Sequence, residues 1–171
     1  TAVDVWNGGT LVIVRESADY MNGGDCVIQT NIIYMIGSKG LEMHHTVTNN
    51  SGLDTLARIG QGFKLSKNFS QVEWYGRGPW ENYADRKSSA LIGKYTDTPE
   101  NMHIDFVVPC ECGGHEDVRY VTLSDGFHKL KITGGEDFHF SALPYDMTEY
   151  LQAAYQDELP CSDGVYLNLD A

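Results

Sequence analysis

Leu41-Glu42-Met43-His44-His45-Thr46-Val47-Thr48 alternates apolar and polar residues almost without a break. In an extended chain successive side chains point to opposite faces. Leu41, Met43, His45 and Val47 therefore share one face, and Glu42, His44, Thr46 and Thr48 share the other. The octet is a strand with one buried face, and Asn49-Asn50-Ser51-Gly52 turns the chain after it. His44 and His45 cannot act as a pair, and His45 reads as a partly buried, hydrogen-bonded side chain.

The same period of two recurs on both sides of this octet. Upstream, Leu11–Arg15 and Cys26–Ile36 are apolar and β-branched, separated by the turn Asn22-Gly23-Gly24-Asp25. Downstream, Ile59–Leu65, Gln71–Tyr75, Asp117–Leu123, Leu130–Thr133, Phe138–Leu143 and Val165–Leu169 continue the series, with Gly113-Gly114 and Gly134-Gly135 as turns. Helical period occurs once, over Met147–Gln156. Asp146 and Glu149 form a capping box there, and Met147, Tyr150, Leu151, Ala154 and Tyr155 make one apolar stripe. Pro160 stops anything further. Short strands at intervals of roughly 8–15 residues, without helices between them, predict an all-β antiparallel sandwich with one short helix. No repeat or linker divides the chain, so residues 1–171 read as one domain.

Composition excludes several classes. With 42% hydrophobic and 21% charged residues, the 171-residue chain has the make-up of a folded domain rather than a disordered one. No stretch approaches the ~18 unbroken apolar residues that a membrane-spanning helix needs. Twelve basic against 24 acidic residues give a net charge of −12, which repels phosphate backbones. Nucleic acid and membranes are thus not expected partners. The four cysteines, Cys26, Cys110, Cys112 and Cys161, are too few and scattered for a disulfide-built fold, and leave the compartment open between cytoplasm and periplasm. Thr1 opens without a leader pattern and Ala171 ends on a strand pattern, so the sequence is expected to be a piece of a longer polypeptide that lacks its final strands.

The densest chemistry lies in Trp74-Tyr75-Gly76-Arg77-Gly78-Pro79-Trp80-Glu81-Asn82-Tyr83-Ala84-Asp85-Arg86. The strand is expected to end at Tyr75, with the glycines and Pro79 forcing an irregular path. Two readings stand. Aromatic rings beside Glu, Asn, Asp and Arg suit a sugar, whose CH faces stack while its hydroxyls take bidentate bonds. Alternatively, Arg77 or Arg86 pairs with Glu81 or Asp85 in a buried structural corner. Glu81, Asp85, Glu111, Glu116 and Asp117 are the carboxylates available for glycosidase chemistry, which needs a pair ~5–10 Å apart. Cys110-Glu111-Cys112-Gly113-Gly114-His115 has the look of a metal loop but lacks the second ligand pair of a zinc site, so no metal is assigned to it.

The Trp74–Arg86 loop resembles a signature of the C-terminal β-sandwich (small-chain) domain of family 2 glycoside hydrolases, the large β-galactosidases: an aromatic pair, Gly-Arg-Gly-Pro, then Glu-Asn-Tyr-x-Asp-Arg. Further segments resemble the family in the same order. They are Leu56–Gly60; Pro109-x-Glu111-x-Gly113 with Asp117-Val118-Arg119-Tyr120; Phe140–Tyr145; and Leu159-Pro160 through Tyr166–Ala171. Cys110 and Cys112 stand where the family has Gln and Asn, Tyr120 replaces Trp, and Tyr155 stands where His is usual.

The resemblance implies a supersandwich of the galactose mutarotase type. It implies a parent enzyme that removes terminal β-D-galactose with retention of configuration. It places both catalytic glutamates and the magnesium ligands in a barrel domain elsewhere in the polypeptide, so no catalytic residue and no cofactor is carried onto this chain. Trp74, Arg77, Glu81, Asn82, Asp85 and Arg86 become structural or sugar-facing signature residues, with Glu111, His115 and Arg119 as weaker candidates. The expected partners are the barrel domain, the parent's galactoside substrate and further copies in a homo-oligomer. A freestanding carbohydrate-binding or aldose-epimerase-like domain, with His115 and Glu111 or Glu116 as its acid and base, is the alternative.

Overall fold

A computed structural model describes residues 2–9, 11–56 and 58–171. They form two compact units, Thr1–Ile59 and Gly60–Ala171. The first unit is a meander of β1 (Ala2–Asn7), β2 (Leu11–Asn22), β3 (Asp25–Gly37) and β4 (Gly40–Asn49), paired antiparallel in that order. The register puts Leu41, Met43, His45 and Val47 opposite Ile36, Tyr34, Ile32 and Thr30, so the face read from β4 continues across the sheet. Strand β2 runs seven residues past the Leu11–Arg15 segment, because Glu16–Asn22 pair with the Asp25–Ile32 half of β3, whose bounds differ from the apolar segment by one residue at each end.

The second unit holds β5 (Gly60–Leu65), β6 (Gln71–Gly78), β7 (Leu91–Asp97), β8 (His115–Ser124), β9 (Lys129–Leu143) and β10 (Val165–Asp170) in the antiparallel order β5-β10-β9-β8-β6-β7. Alternation along β6 and β8 sends Val72, Trp74, Val121 and Leu123 to one face. There they meet Phe140, Ala142, Leu143, Val165 and Leu167 from β9 and β10. Met102, Cys112 and Tyr150 complete this core.

Two short α-helices and one 3-10 turn, Gln156–Glu158, occur among the described residues. Helix α2 (Met147–Gln152) has the expected capping box but ends four residues early. A helix this short depends on its packing, and Gln156 instead donates its side-chain amide to the Phe106 carbonyl at 2.8 Å. Helix α1 (Pro99–Met102) was not foreseen, although its Thr98 cap and first-turn proline are start signals.

Three expectations are corrected. Strand β6 continues through Gly76 and Gly78 instead of ending at Tyr75. A Cβ on Gly76 would lie 2.9 Å from the Val118 Cα, so the glycine serves close approach within a regular ladder. Gly134 and Gly135 lie inside β9 and not in a turn, at the point where the ladder to β8 shifts register between the Val118–Phe138 and Tyr120–Thr133 pairs. Of the Leu56–Gly60 segment, Ala57 lies outside the described residues, and strand begins at Gly60.

Candidate functional site

The signature stretch leaves β6 at Gly78, turns at Tyr83–Arg86 and returns to the sheet at β7. Its geometry is set from within. The Trp74 indole N–H donates to the Arg77 carbonyl at 2.9 Å, and His115 Nδ1 donates to the same oxygen at 3.1 Å. The His115 ring sits 4.3 Å from the Trp74 ring and 5.4 Å from the Phe140 ring, centroid to centroid. Desolvation in that apolar slot lowers its pKa to about 4, so the imidazole is neutral near neutral pH.

Above this slot lies a charge network. Arg77 Nε donates to Asp117 Oδ2 at 2.5 Å, and its Nη1 donates to the Ala90 carbonyl at 2.9 Å. Lys87 Nζ reaches Asp117 Oδ1 at 2.8 Å and Glu116 Oε2 at 3.2 Å. Glu116 also meets His139 Nδ1 at 2.9 Å. The hydrogen bond from Lys87, then that from Arg77, holds the Asp117 carboxyl below its ordinary pKa, and the Asp117 bond raises that of Lys87. Asp117 takes a left-handed backbone, φ 53°, which aims its carboxylate at both cations.

A second set closes the loop. Asn82, fully buried, donates from its amide to the Trp80 carbonyl and accepts from the Glu116 N–H, each at 2.9 Å. Its own N–H bonds the Gly114 carbonyl at 2.8 Å. Glu81 accepts from the Gly113 N–H at 2.9 Å and from Arg86 at 2.5 Å. Gly113 has φ +64°, and a Cβ there would lie 2.5 Å from the Met102 carbonyl oxygen.

Of the sequence-predicted residues, Trp74, Arg77, Glu81, Asn82, Arg86 and His115 thus converge on one bonded corner. Arg77 finds Asp117, and Arg86 finds Glu81. Asp85 is exposed in the turn, and Glu111 is exposed on its loop. Arg119 pairs with Asp137 at 3.0 Å, and its guanidinium lies 5.8 Å from the Tyr75 ring centroid. Lys87, Glu116, Asp117 and His139 had no assigned place in this corner. Asp117 and Glu116 appeared in sequence only as acidic candidates, since pairing across 30 or 40 residues leaves no local signal. The cysteines separate too. Cys110 is exposed, whereas Cys112 is buried beside His103 Nδ1 at 3.7 Å and the Tyr150 hydroxyl at 4.0 Å. Among the described residues no group of three or more His, Cys, Asp or Glu could hold a metal ion.

A separate groove of about 820 Å³ lies over the polar face of β6–β9. Glu73, Lys94, Thr96, Tyr120 and Lys131 line it, and none of the sequence-predicted residues does. Tyr120 donates to Glu73 at 3.2 Å, and Lys131 sits 4.6 Å from the Tyr120 ring centroid.

Comparison with known proteins adds a lineage to this geometry. A family described as beta galactosidase small chain matches residues 5–171. The β-galactosidase of Vibrio cholerae is 37% identical over 145 residues, which is 84% of this chain and 14% of that protein. That of Enterobacter cloacae is 36% identical over 166 residues, 96% of this chain and 15% of that protein. β-Galactosidase BgaC of Bifidobacterium adolescentis is 32% identical over 137 residues, 78% of this chain and 13% of that protein. The chain therefore spans about one-seventh of the length of these relatives.

Proposed function

The chain belongs to the β-galactosidase small-chain family, and from that premise we propose that it is a non-catalytic domain of a β-galactosidase. The parent hydrolyses terminal β-D-galactose from β-galactosides with retention. The catalytic carboxylates and magnesium belong to a barrel domain of the same polypeptide. This domain, a supersandwich of the galactose mutarotase type, walls the sugar pocket and supports homo-oligomeric assembly.

The observation that carries this reading is the use to which three of the five candidate carboxylates are put. Glu81, Glu116 and Asp117 are each held by cations or backbone N–H groups within the domain. A retaining glycosidase needs two carboxyl groups facing a substrate, one of them able to carry a proton. Glu81 and Asp117 instead bond arginine, a donor that stays charged. What such a corner supplies is rigidity, on which pocket geometry depends.

The test uses the whole polypeptide that carries this chain. Deleting residues 60–171 is expected to abolish turnover of a nitrophenyl β-galactoside, and Asp117→Ala to lower it with partial loss of stability. Full turnover after the deletion overturns the reading.

The groove favours one second reading, a freestanding carbohydrate binder, because a Tyr ring flanked by hydroxyl, amide and charged groups suits a polyol. Calorimetric titration with galactose separates the two: binding at millimolar or tighter affinity by this chain supports the second. The epimerase form of that alternative fits the corner poorly, since His115 is 2% exposed and its Nδ1 is taken by the Arg77 carbonyl.

A further inference from the structure

The groove over β6–β9 has an ordered lining. Val72, Trp74, Val121 and Leu123 turn to the core, so alternation sends the residues between them to the opposite face. The ladder sets those residues in rows. Thr96, Glu73, Thr122 and Lys131 pair in one line across four strands, and Ser124 pairs with Lys129 in the next row. On the other side of that line Lys94 pairs with Tyr75, and Tyr75 with Tyr120. Lys94 thus enters the groove from the edge strand β7, and Lys129 and Lys131 enter it from β9, with Glu73 on the strand next to β7.

This face reverses the charge of the chain. Overall, 24 acidic residues outnumber 12 basic ones, whereas the groove holds three lysines, Lys94, Lys129 and Lys131, against two carboxylates, Glu73 and Asp97. Lys64 and Lys87 each have a carboxylate partner, but among the described residues these three lysines have none. Lys131 lies instead over the Tyr120 ring. Asp97 is used locally, accepting from the Thr98 N–H at 2.8 Å. Glu73 accepts the Tyr120 hydroxyl through Oε1 at 3.2 Å, and its Oε2 has no partner among the described residues.

We infer that the groove is a binding site for an anionic polyol, a sugar or sugar-like ligand that carries a phosphate or a carboxylate. Lys129 and Lys131 stand two residues apart on one face of β9, roughly 7 Å at the backbone. Their long stems converge on a single anion, and bonds from ammonium groups to it are charge-assisted. A bare anion suits the site less well, because Glu73 repels it. A ligand that also brings hydroxyl donors turns the same carboxylate into a contact. A neutral sugar, in turn, leaves the ammonium groups without a partner. At about 820 Å³ the groove has the size of a small-molecule site, and its polar lining selects a hydrated ligand over an apolar one. The inference deepens the reading of this groove as a polyol site, and it holds whether the chain acts alone or within a galactosidase.

Calorimetric titration of the 171-residue chain with galactose 6-phosphate, galacturonate, galactose and inorganic phosphate tests it. The first two share a ring and differ in the anion, so the tighter of them identifies which anion is held. Expected is binding of at least one of them, with galactose and inorganic phosphate each weaker by about tenfold or more, as the loss of a charged contact requires. Lys129→Gln with Lys131→Gln should weaken the anionic sugar by about tenfold, without changing the melting of the chain, since both side chains are exposed. Glu73→Ala should weaken the sugar and not inorganic phosphate. No binding of either anionic sugar at millimolar concentration overturns the inference, as does a double variant that melts and binds like the parent chain. Equal affinity for galactose overturns it in favour of a neutral-sugar site, and equal affinity for inorganic phosphate in favour of a plain anion site. Tighter binding of a polyglutamate peptide overturns it in favour of an acidic protein segment. Titration reads binding and not turnover. An active galactosidase whose groove ignores these probes sinks this inference alone, and a chain that binds them within an inactive parent sinks only the galactosidase reading.

Discussion

Arg77 and Asp117, 40 residues apart in sequence, are joined at 2.5 Å between Nε and Oδ2. The carbonyl of the same arginine receives both the Trp74 indole and His115. One residue thereby ties the end of β6 to the start of β8 from both its side chain and its backbone. Arg77, Glu81, Asn82 and Arg86 of the signature loop are each bonded within the domain, and this makes the corner sensitive in definite ways.

Asp117 carries both a charge and an unusual backbone, φ 53°. Asp117→Asn should cost about 1–2 kcal/mol, since the ion pairs are partly solvated and part of their Coulomb energy is screened. Asp117→Ala should cost a further ~1 kcal/mol, because alanine tolerates the left-handed region less well than Asn. Urea denaturation of the three proteins checks the order; Ala as stable as Asn would contradict it.

His115 gives the domain a pH dependence. Burial lowers its pKa to about 4 in the folded chain, against the ordinary histidine value of 6.5 in the unfolded one. Between those values the unfolded chain binds more protons, so stability falls as pH drops from 6.5 towards 4. The loss attributable to this group is of order 3 kcal/mol at most. The lowered Asp117 carboxyl adds a loss of the same sign at more acid pH. Chemical denaturation at several pH values should show a shallower slope over this window for His115→Gln than for the parent chain.

Asn82→Leu removes a buried amide and leaves the Trp80 carbonyl and the Glu116 N–H without it. The expected cost is about 2–3 kcal/mol. Faster hydrogen exchange should appear at the Glu116 amide; an unchanged rate there would refute the assigned bond.

Burial pushes the Cys112 thiol up, and Cys110 and Cys161 are exposed. An alkylating reagent should therefore modify Cys110 and Cys161 in the native chain, and Cys112 at least about tenfold more slowly until denaturant is added. Mass spectrometry of the digested chain reads each site.

The strands of this protein were legible because a half-buried antiparallel strand writes itself as alternation, as Leu41–Thr48 does. The capping box at Asp146 was legible for the same local reason. The end of α2 was not, since the Gln156–Phe106 bond that accompanies its early stop spans 50 residues. Strands β1 and β7 carried too little alternation to be read, and β7 takes its place from pairing with β6. In the corner, the signature residues were visible as a motif. Of their partners, Glu116 and Asp117 were visible only as acidic candidates and Lys87 and His139 not at all, because the contacts join segments far apart in sequence.

The central claim is that the signature corner is architecture and the chemistry of hydrolysis lies outside this chain. The most direct measurement is turnover of a nitrophenyl β-D-galactopyranoside by the purified 171-residue chain. The account predicts none above a heat-inactivated control, for the parent chain and for Glu81→Gln and Glu111→Gln alike. Turnover by the parent chain that either substitution abolishes would contradict it.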